Sequence, residues 1–422
     1  MKYLNLRIFR KLIKATVFSN FLNLSSIQLS NTLLSFLIYP IITRKVGLEA
    51  FGLFIVANYF AGLMGTIVNY GTSQSGVKDV VINKDESESL SSVFYNTLLL
   101  RIIIFITFLF VFSLLGLGDL PNYNFYLFSI PLIFSEVLNP MFLYLGKEKL
   151  ALYNVANLIA KILIILAVIF LISGAEDAIW INFIIGTINT STYLFLVIRG
   201  IMKYRLTFNF FNKSEIIKLS ISNFYLVGNN ISVHLQQSLM VFSINLWGDP
   251  MWLGAYSICD KIIGSIKMMI SYISYSIYPK AAFLFKEDPK HFIHFKNRIK
   301  KVLFLTFLTL SICLMVFASP VIHLINGEPN SSAETLLRIM AFLPALAALN
   351  SFNVLELLIR DQNIFIFKIA MILLILAASL SLAIVSWGNL FWFGTYTLLV
   401  EISAVLMYEY VIRKKYPGQV RQ

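Results

Sequence analysis

The sequence predicts an all-α, polytopic membrane protein with about twelve transmembrane helices, arranged as two six-helix halves around a central cavity. Three observations carry this expectation. Of the 422 residues, 58% are hydrophobic and only 13% charged, about half the charged share of a soluble domain, and the mean hydropathy is +0.78. The apolar runs are long enough to cross a hydrocarbon core roughly 30 Å thick at about 1.5 Å per residue. The basic residues also fall on alternate connections in a strongly one-sided way.

The predicted spans are 17–42, 51–73, 93–116, 125–145, 150–173, 178–198, 219–246, 252–277, 302–325, 334–358, 364–387 and 389–411. Glycine, proline or asparagine punctuates the short connections between them, as at Gly47, Pro121–Asn122, Gly146, Gly174, Gly248–Pro250 and Asn326–Ser332. The basic start, MKYLNLRIFRKLIK, resembles the head of a signal peptide. The apolar segment after it is long, carries a polar stripe and lacks a small-residue cleavage site, so it is read as the first span. The connections that share a side with both termini hold 27 of the 34 Lys and Arg residues; the opposite side holds only Arg44 and Lys45. The remaining five, Arg101, Lys161, Lys261, Lys267 and Arg338, lie within spans. This asymmetry predicts that both termini are cytoplasmic.

The net charge of +13 therefore belongs to topology and to anionic lipid headgroups rather than to a nucleic acid, and no nucleic-acid partner is expected. Cys259 and Cys313 form neither a disulfide framework nor a metal-ligand spacing. No phosphate-binding P-loop, Gly-x-Ser-x-Gly, His-Glu-x-x-His or cysteine–histidine cluster occurs, and no cofactor is expected.

The basic stretch 199–218 divides the chain into halves at 1–205 and 206–422, and a weak internal repeat supports that division. Aligned on Gly52 and Gly254, GLEAFGLFIVANY (47–59) resembles the stretch that begins at Gly248, with Asn58 opposite Asp260 and Tyr59 opposite Lys261. Six spans per half insert both halves the same way round, the parallel type of repeat found in some transporters, with the cavity between them.

Stretch 251–280 is the most informative. Asp260, Gly264, Lys267, Ser271, Ser274 and Tyr278 follow helical spacing and share one face. A lipid-exposed charge at mid-bilayer costs at least about 2.5–3.5 kcal/mol, so this face is expected to look into a cavity. Lys261 and Lys267 are candidates for contact with an anionic ligand or for internal pairing, chiefly with Asp260. Further polar faces carry Asn20, Asn23, Gln28 and Asn31 in the first span, and Asn229, Asn230, His234, Gln236 and Gln237 in the seventh. Asn154, Asn157 and Lys161 occupy the fifth span, and Asn182, Gly186, Asn189 and Tyr193 the sixth. Such amides either join helices or line a wet cavity, and Asn31, Asn58, Asn229, Gln236 and Lys161 are read as substrate contacts with Lys261 and Lys267. Asp260, His234, Glu136 and Glu401 are the titratable candidates for coupling. His234 also fits a packing role, and Lys161 is a candidate partner for Glu136 or Glu401. The i, i+4 pair Glu356–Arg360 reads as a structural ion pair, and Arg101 and Arg338 as cations reaching toward a membrane interface.

Asn31–Gly52, NTLLSFLIYPIITRKVGLEAFG, and Leu253–Pro279, LGAYSICDKIIGSIKMMISYISYSIYP, resemble the first-span turn and the eighth span of the Wzx-type polysaccharide flippases. These are the O-antigen and lipid-linked oligosaccharide exporters of the multidrug/oligosaccharidyl-lipid/polysaccharide superfamily. Cys259-Asp260-Lys261 is similar to the Ala-Asp-Arg triplet of the related lipid II flippases, with lysine in place of arginine. Lysine is a point charge without the forked geometry of a guanidinium. The resemblance implies a non-enzymatic flippase that moves undecaprenyl-pyrophosphate-linked oligosaccharide to the periplasmic leaflet by alternating access. It also implies the membrane lipids, a polysaccharide polymerase and a chain-length regulator as partners. The alternatives are a cation or drug antiporter of the same superfamily and a membrane-embedded glycosyltransferase or polymerase.

Overall fold

The computed structural model describes residues 2–83, 85–114, 122–208, 213–287, 289–360 and 362–416, and no side chain of residues 2–33 is described. The described residues contain helices and connections but no strand. In chain order the helices are α1 (Lys2–Asn69), α2 (Thr72–Ile82), α3 (Ser87–Leu114), α4 (Tyr123–Leu127), α5 (Ile130–Leu138), α6 (Met141–Gly146), α7 (Leu150–Leu171), α8 (Trp180–Tyr204), α9 (Lys213–Trp247), α10 (Pro250–Glu287), α11 (Pro289–Val316), α12 (Ala318–Asn326), α13 (Ser331–Met340), α14 (Leu343–Ile359), α15 (Asn363–Trp387) and α16 (Leu390–Lys415).

Helix overlies each of the twelve predicted spans. Among the described residues, nine helical segments are long and apolar enough to cross a membrane. Two long helices fall outside that group for a physical reason: α10 carries Asp260, Lys261 and Lys267, and α9 carries its amides and His234. A helix whose polar face looks into a cavity need not be apolar all round.

The helices depart from the sequence expectation in several places. The first two spans join in one helical element, broken only at Gly47, whose φ of 78° and ψ of 167° suit glycine alone. Just before this turn, Lys45 donates to the Ile169 and Ile172 carbonyls at 2.5 and 2.6 Å, and Arg44 donates to the Leu324 carbonyl. The two cations thus sit at the C-terminal ends of α7 and α12, where the helix dipole favours positive charge. The fourth span is not one helix but α4, α5 and α6 in series. Asn139–Pro140 causes the second break, because proline excludes helical geometry from the residue before it, and Asn139 is extended at φ −61°, ψ 104°. The ninth span is divided into α11 and α12, and the tenth into α13 and α14.

The core lies where α1, past Gly47, crosses α10. A Cβ on Gly52 would lie 2.8 Å from the Gly254 nitrogen, and one on Gly254 would lie 2.1 Å from the Leu48 carbonyl oxygen. Only glycines let the two backbones approach this closely, the small-residue packing usual between helices in lipid. Phe51, Ile55, Leu253, Ile258 and Cys259 fill the surrounding core. This packing lies between the cavity described below and the face opposite the termini.

At the termini-bearing end, Glu356 pairs with Arg360 at 2.8 Å, as its spacing predicts, and also with Lys296 at 2.9 Å. Arg338 is exposed and lies 3.9 Å from Glu334. Arg101 is the correction: it is buried at 1% exposure rather than reaching for an interface.

Candidate functional site

A cavity of about 860 Å³ opens beneath the glycine crossing, and a second chamber of about 640 Å³ adjoins it. Both are lined by Asn58, Gly62, Val233, His234 and Gln237, so α1 and α9 form the partition between them.

The larger chamber collects the charges of α10. Tyr59 Oη donates to the Asp260 carboxylate. The Lys261 ammonium lies 3.8 Å from the centre of the Tyr59 ring and 6.0 Å from that of Tyr39, so a cation shares its apolar surroundings with two aromatic faces. Lys267 is bound not to Asp260 but to Glu401, at 2.7 Å. Asn350 donates to the other oxygen of Glu401 at 3.1 Å. This α16 partner corrects the expected pairing: Lys267 stands two turns beyond Asp260, a distance at which a facing helix supplies the closer carboxylate. Lys161 on α7 also lines this chamber, with Asn154 and Asn157. Three lysines from two helices therefore meet one cavity.

The Lys267–Glu401 pair is partly open, with side-chain exposures of 39% and 12%. Glu401→Gln or Lys267→Met alone is expected to cost about 1–3 kcal/mol, because each leaves a half-buried charge unpaired. The double variant is expected to lose less than the sum, and thermal unfolding of all four proteins in detergent measures the coupling. Strict additivity would show that the pair contributes nothing.

Among the described residues, no cation lines the second chamber. Asn69, Asn229, Asn230, Thr66, Ser73 and Glu136 line it besides the shared residues. Glu136 accepts from Asn69 Nδ2 at 3.4 Å and from Asn139 Nδ2 at 3.2 Å. Both amides have a fixed sense. The Asn69 oxygen accepts from the Ser73 amide at 3.1 Å, and the Asn139 oxygen accepts from Met141 N at 3.2 Å and Tyr153 Oη at 3.0 Å. Each therefore turns its NH₂ group toward Glu136. Behind them Arg101 donates to Thr72 Oγ1 at 2.8 Å, and to the Glu136 and Asn139 carbonyls at 3.1 and 2.7 Å. A guanidinium thus closes the broken end of α5.

The structure brings ten of the eleven sequence-predicted site residues to these two chambers: Lys261, Lys267, Lys161, Asn58, Gln236, Asp260, His234 and Glu401 in the first, Glu136 and Asn229 in the second. The side chain of Asn31 lies outside the described residues. Several of these groups also serve packing. Asn58 donates to Asn182 at 3.1 Å, Gln236 donates to the Ala370 carbonyl at 2.8 Å, and His234 Nε2 lies 3.1 Å from the Tyr59 carbonyl, which makes it the donor. The polar face of the sixth span does not meet the cavity through Gly186, which packs on the Pro131–Leu132 backbone. Tyr39, Tyr59, Tyr153, Tyr396, Asn69 and Asn139 were not singled out as site residues by the sequence. The tyrosines carry no distinguishing signal among 20 in the chain, whereas the Asn139–Pro140 dipeptide in an apolar run does signal a break.

Comparison with known proteins agrees with this architecture. An Escherichia coli (strain K12) protein provisionally named an O-antigen transporter is 24% identical over 412 residues, which is 93% of each chain. Among solved structures, an inward-facing multidrug resistance MATE family transporter of the MOP superfamily superposes with a TM-score of 0.72 at 14% identity, covering 93% of this chain and 96% of that one. A mutant of a Vibrio cholerae MATE transporter gives 0.62 at 13% identity over 95% and 98%. The model of the polysaccharide biosynthesis protein family matches residues 17–284. The chain is a multi-pass membrane protein of the MATE-like transporter fold, and it belongs to the polysaccharide biosynthesis protein family.

Proposed function

We propose that this protein is a flippase for undecaprenyl-pyrophosphate-linked oligosaccharide, an O-antigen repeat unit or a similar one, in a bacterial inner membrane. The observation that carries the proposal is the meeting of Lys161, Lys261 and Lys267 in one cavity whose lining also holds amides, tyrosines and the two carboxylates of Asp260 and Glu401. An amphiphile with an anionic linkage between sugar and lipid needs such a combination: ammonium groups for the pyrophosphate, and amides for the hydroxyls of its sugars. The provisional name of the Escherichia coli relative supports the same substrate class. The reaction is movement rather than bond making, with a polymerase and a chain-length regulator acting on the delivered product.

In this reading the halves 1–205 and 206–422 rock about the glycine crossing, with both termini in the cytoplasm on the strength of the 27-to-2 basic asymmetry. The glycine packing closes the periplasmic side, so the cavity loads from the cytoplasm. Lys267 and Lys261 are already engaged, one by Glu401 and the other by the Tyr59 ring. An arriving pyrophosphate competes with Glu401 for Lys267 and frees that carboxylate for a proton or cation. Asp260, His234 and Glu401 line the same chamber and form the coupling group.

The test is transfer of a labelled undecaprenyl-pyrophosphate oligosaccharide between leaflets of liposomes holding the purified protein. Wild type is expected to flip it, and Lys261→Ala to be slower by about tenfold or more, the equivalent of one charged contact. Flipping by wild type that Lys261→Ala leaves intact would retire the anion role of Lys261. Transport of a cationic drug instead of the lipid would move the protein to the antiporter reading.

A further inference from the structure

The two chambers differ in charge as well as size. Among the described residues, Lys161, Lys261 and Lys267 all line the larger chamber and none lines the smaller, where Glu136 is the only carboxylate and the other polar groups are amides, hydroxyls and the shared His234. A Cβ on Gly65 would lie 3.0 Å from Glu136 Cγ, so the glycine lets the stem of Glu136 lie against α1. Two oriented amides then hold the carboxylate. Arg101 stands behind it and donates from Nε and Nη1 to Thr72 and to the carbonyls of the broken helix, while its Nη2 makes no hydrogen bond among the described residues. It is not among the residues lining the chamber.

Resting on the flippase reading, we infer that the smaller chamber is a glycan subsite selective for uncharged sugars, with Glu136 as the residue that rejects uronic acids. Glu136 can accept from sugar hydroxyls, and Asn229 and Asn230 can both donate and accept. A glycan without charge therefore finds partners for its hydroxyls on both walls of the chamber. A uronate would come to lie opposite a fixed carboxylate, with no ammonium or guanidinium among the described lining residues to offset it. Like-charge juxtaposition of this kind is the usual way a site discriminates against a near-isosteric ligand. The pyrophosphate remains in the lysine chamber, so the anionic linkage and the sugars are read in different places by different chemistry.

The experiment uses the full-length protein in liposomes and two substrates that share the undecaprenyl pyrophosphate and the first sugar. They differ only in whether the second sugar is a neutral hexose or the corresponding uronic acid. The readout is the ratio of their flipping rates. Wild type is expected to favour the neutral substrate by about tenfold or more. Glu136→Gln is expected to bring the ratio below about threefold, and Asn230→Lys, which adds a cation to the same chamber, to raise uronate transport above the wild-type level. The second variant requires a gain and so cannot be mimicked by misfolding. Equal transport of both substrates by wild type would overturn the selectivity while leaving the flippase reading in place. A Glu136→Gln variant that slows both substrates by the same factor would also overturn it, because that pattern belongs to coupling or to stability. Failure of wild type to move either substrate would remove both readings together.

Discussion

Arg101→Leu is expected to lower stability by about 3 kcal/mol, seen as a fall in the thermal midpoint in detergent and a smaller folded fraction. The guanidinium is 1% exposed and donates to three oxygens, two of them the carbonyls of Glu136 and Asn139 at the broken end of α5. Leucine leaves those carbonyls without their donor inside the bundle, where water is scarce. It also removes a buried cation that stands beside Glu136. Arg101→Lys is expected to recover less than half the loss, since a single ammonium cannot place donors on Thr72 and both carbonyls in the same fork. An Arg101→Leu variant as stable as wild type would show that the α5 end finds other partners.

Gly254→Val is expected to have the larger effect on transport. A Cβ at this position would lie 2.1 Å from the Leu48 carbonyl oxygen, and the obstacle is backbone rather than a yielding side chain. The helices must separate, at a cost of about 1–3 kcal/mol or more by the measure of overpacked cores, and the face opposite the termini can no longer close. Flipping is expected to fall by more than about tenfold in protein that still inserts and purifies. A cysteine-accessibility assay on that face should report greater labelling. Gly174→Ala, where a Cβ meets nothing within 4 Å, is the control for a glycine change as such. Unaltered labelling in Gly254→Val would show that the crossing does not seal that face.

Much of the architecture was legible in the sequence because lipid imposes simple rules. Length, hydropathy and the distribution of lysine and arginine placed the spans, and charges within a span had to look inward. Asp260, Lys261 and Lys267 could be assigned to a cavity on that ground alone, and the repeat alignment on Gly52 and Gly254 picked out two residues that touch. The pairing of charges was not legible. Lys267 takes Glu401 from a helix 134 residues away, and periodicity fixes a face but not the neighbour it meets. Arg101 was misread for a related reason: its position in an otherwise apolar helix resembles that of a cation seeking an interface, while its true partners are carbonyls exposed by the Asn139–Pro140 break. The division into two chambers depends on His234 of α9 standing against Gly62 of α1, a contact between helices that no single-helix pattern contains.

The turn at Gly47 has a mechanical meaning. One non-helical residue joins the two arms of α1, and the cations just before it are fastened to the ends of α7 and α12. Such an elbow has no slack. A long loop would act as a tether and let its two spans drift independently, whereas a single residue keeps the adjoining ends of the two arms together. If the halves rock, a change of angle between the two arms falls on Gly47, and the cations beside it tie that joint to α7 and α12 at once.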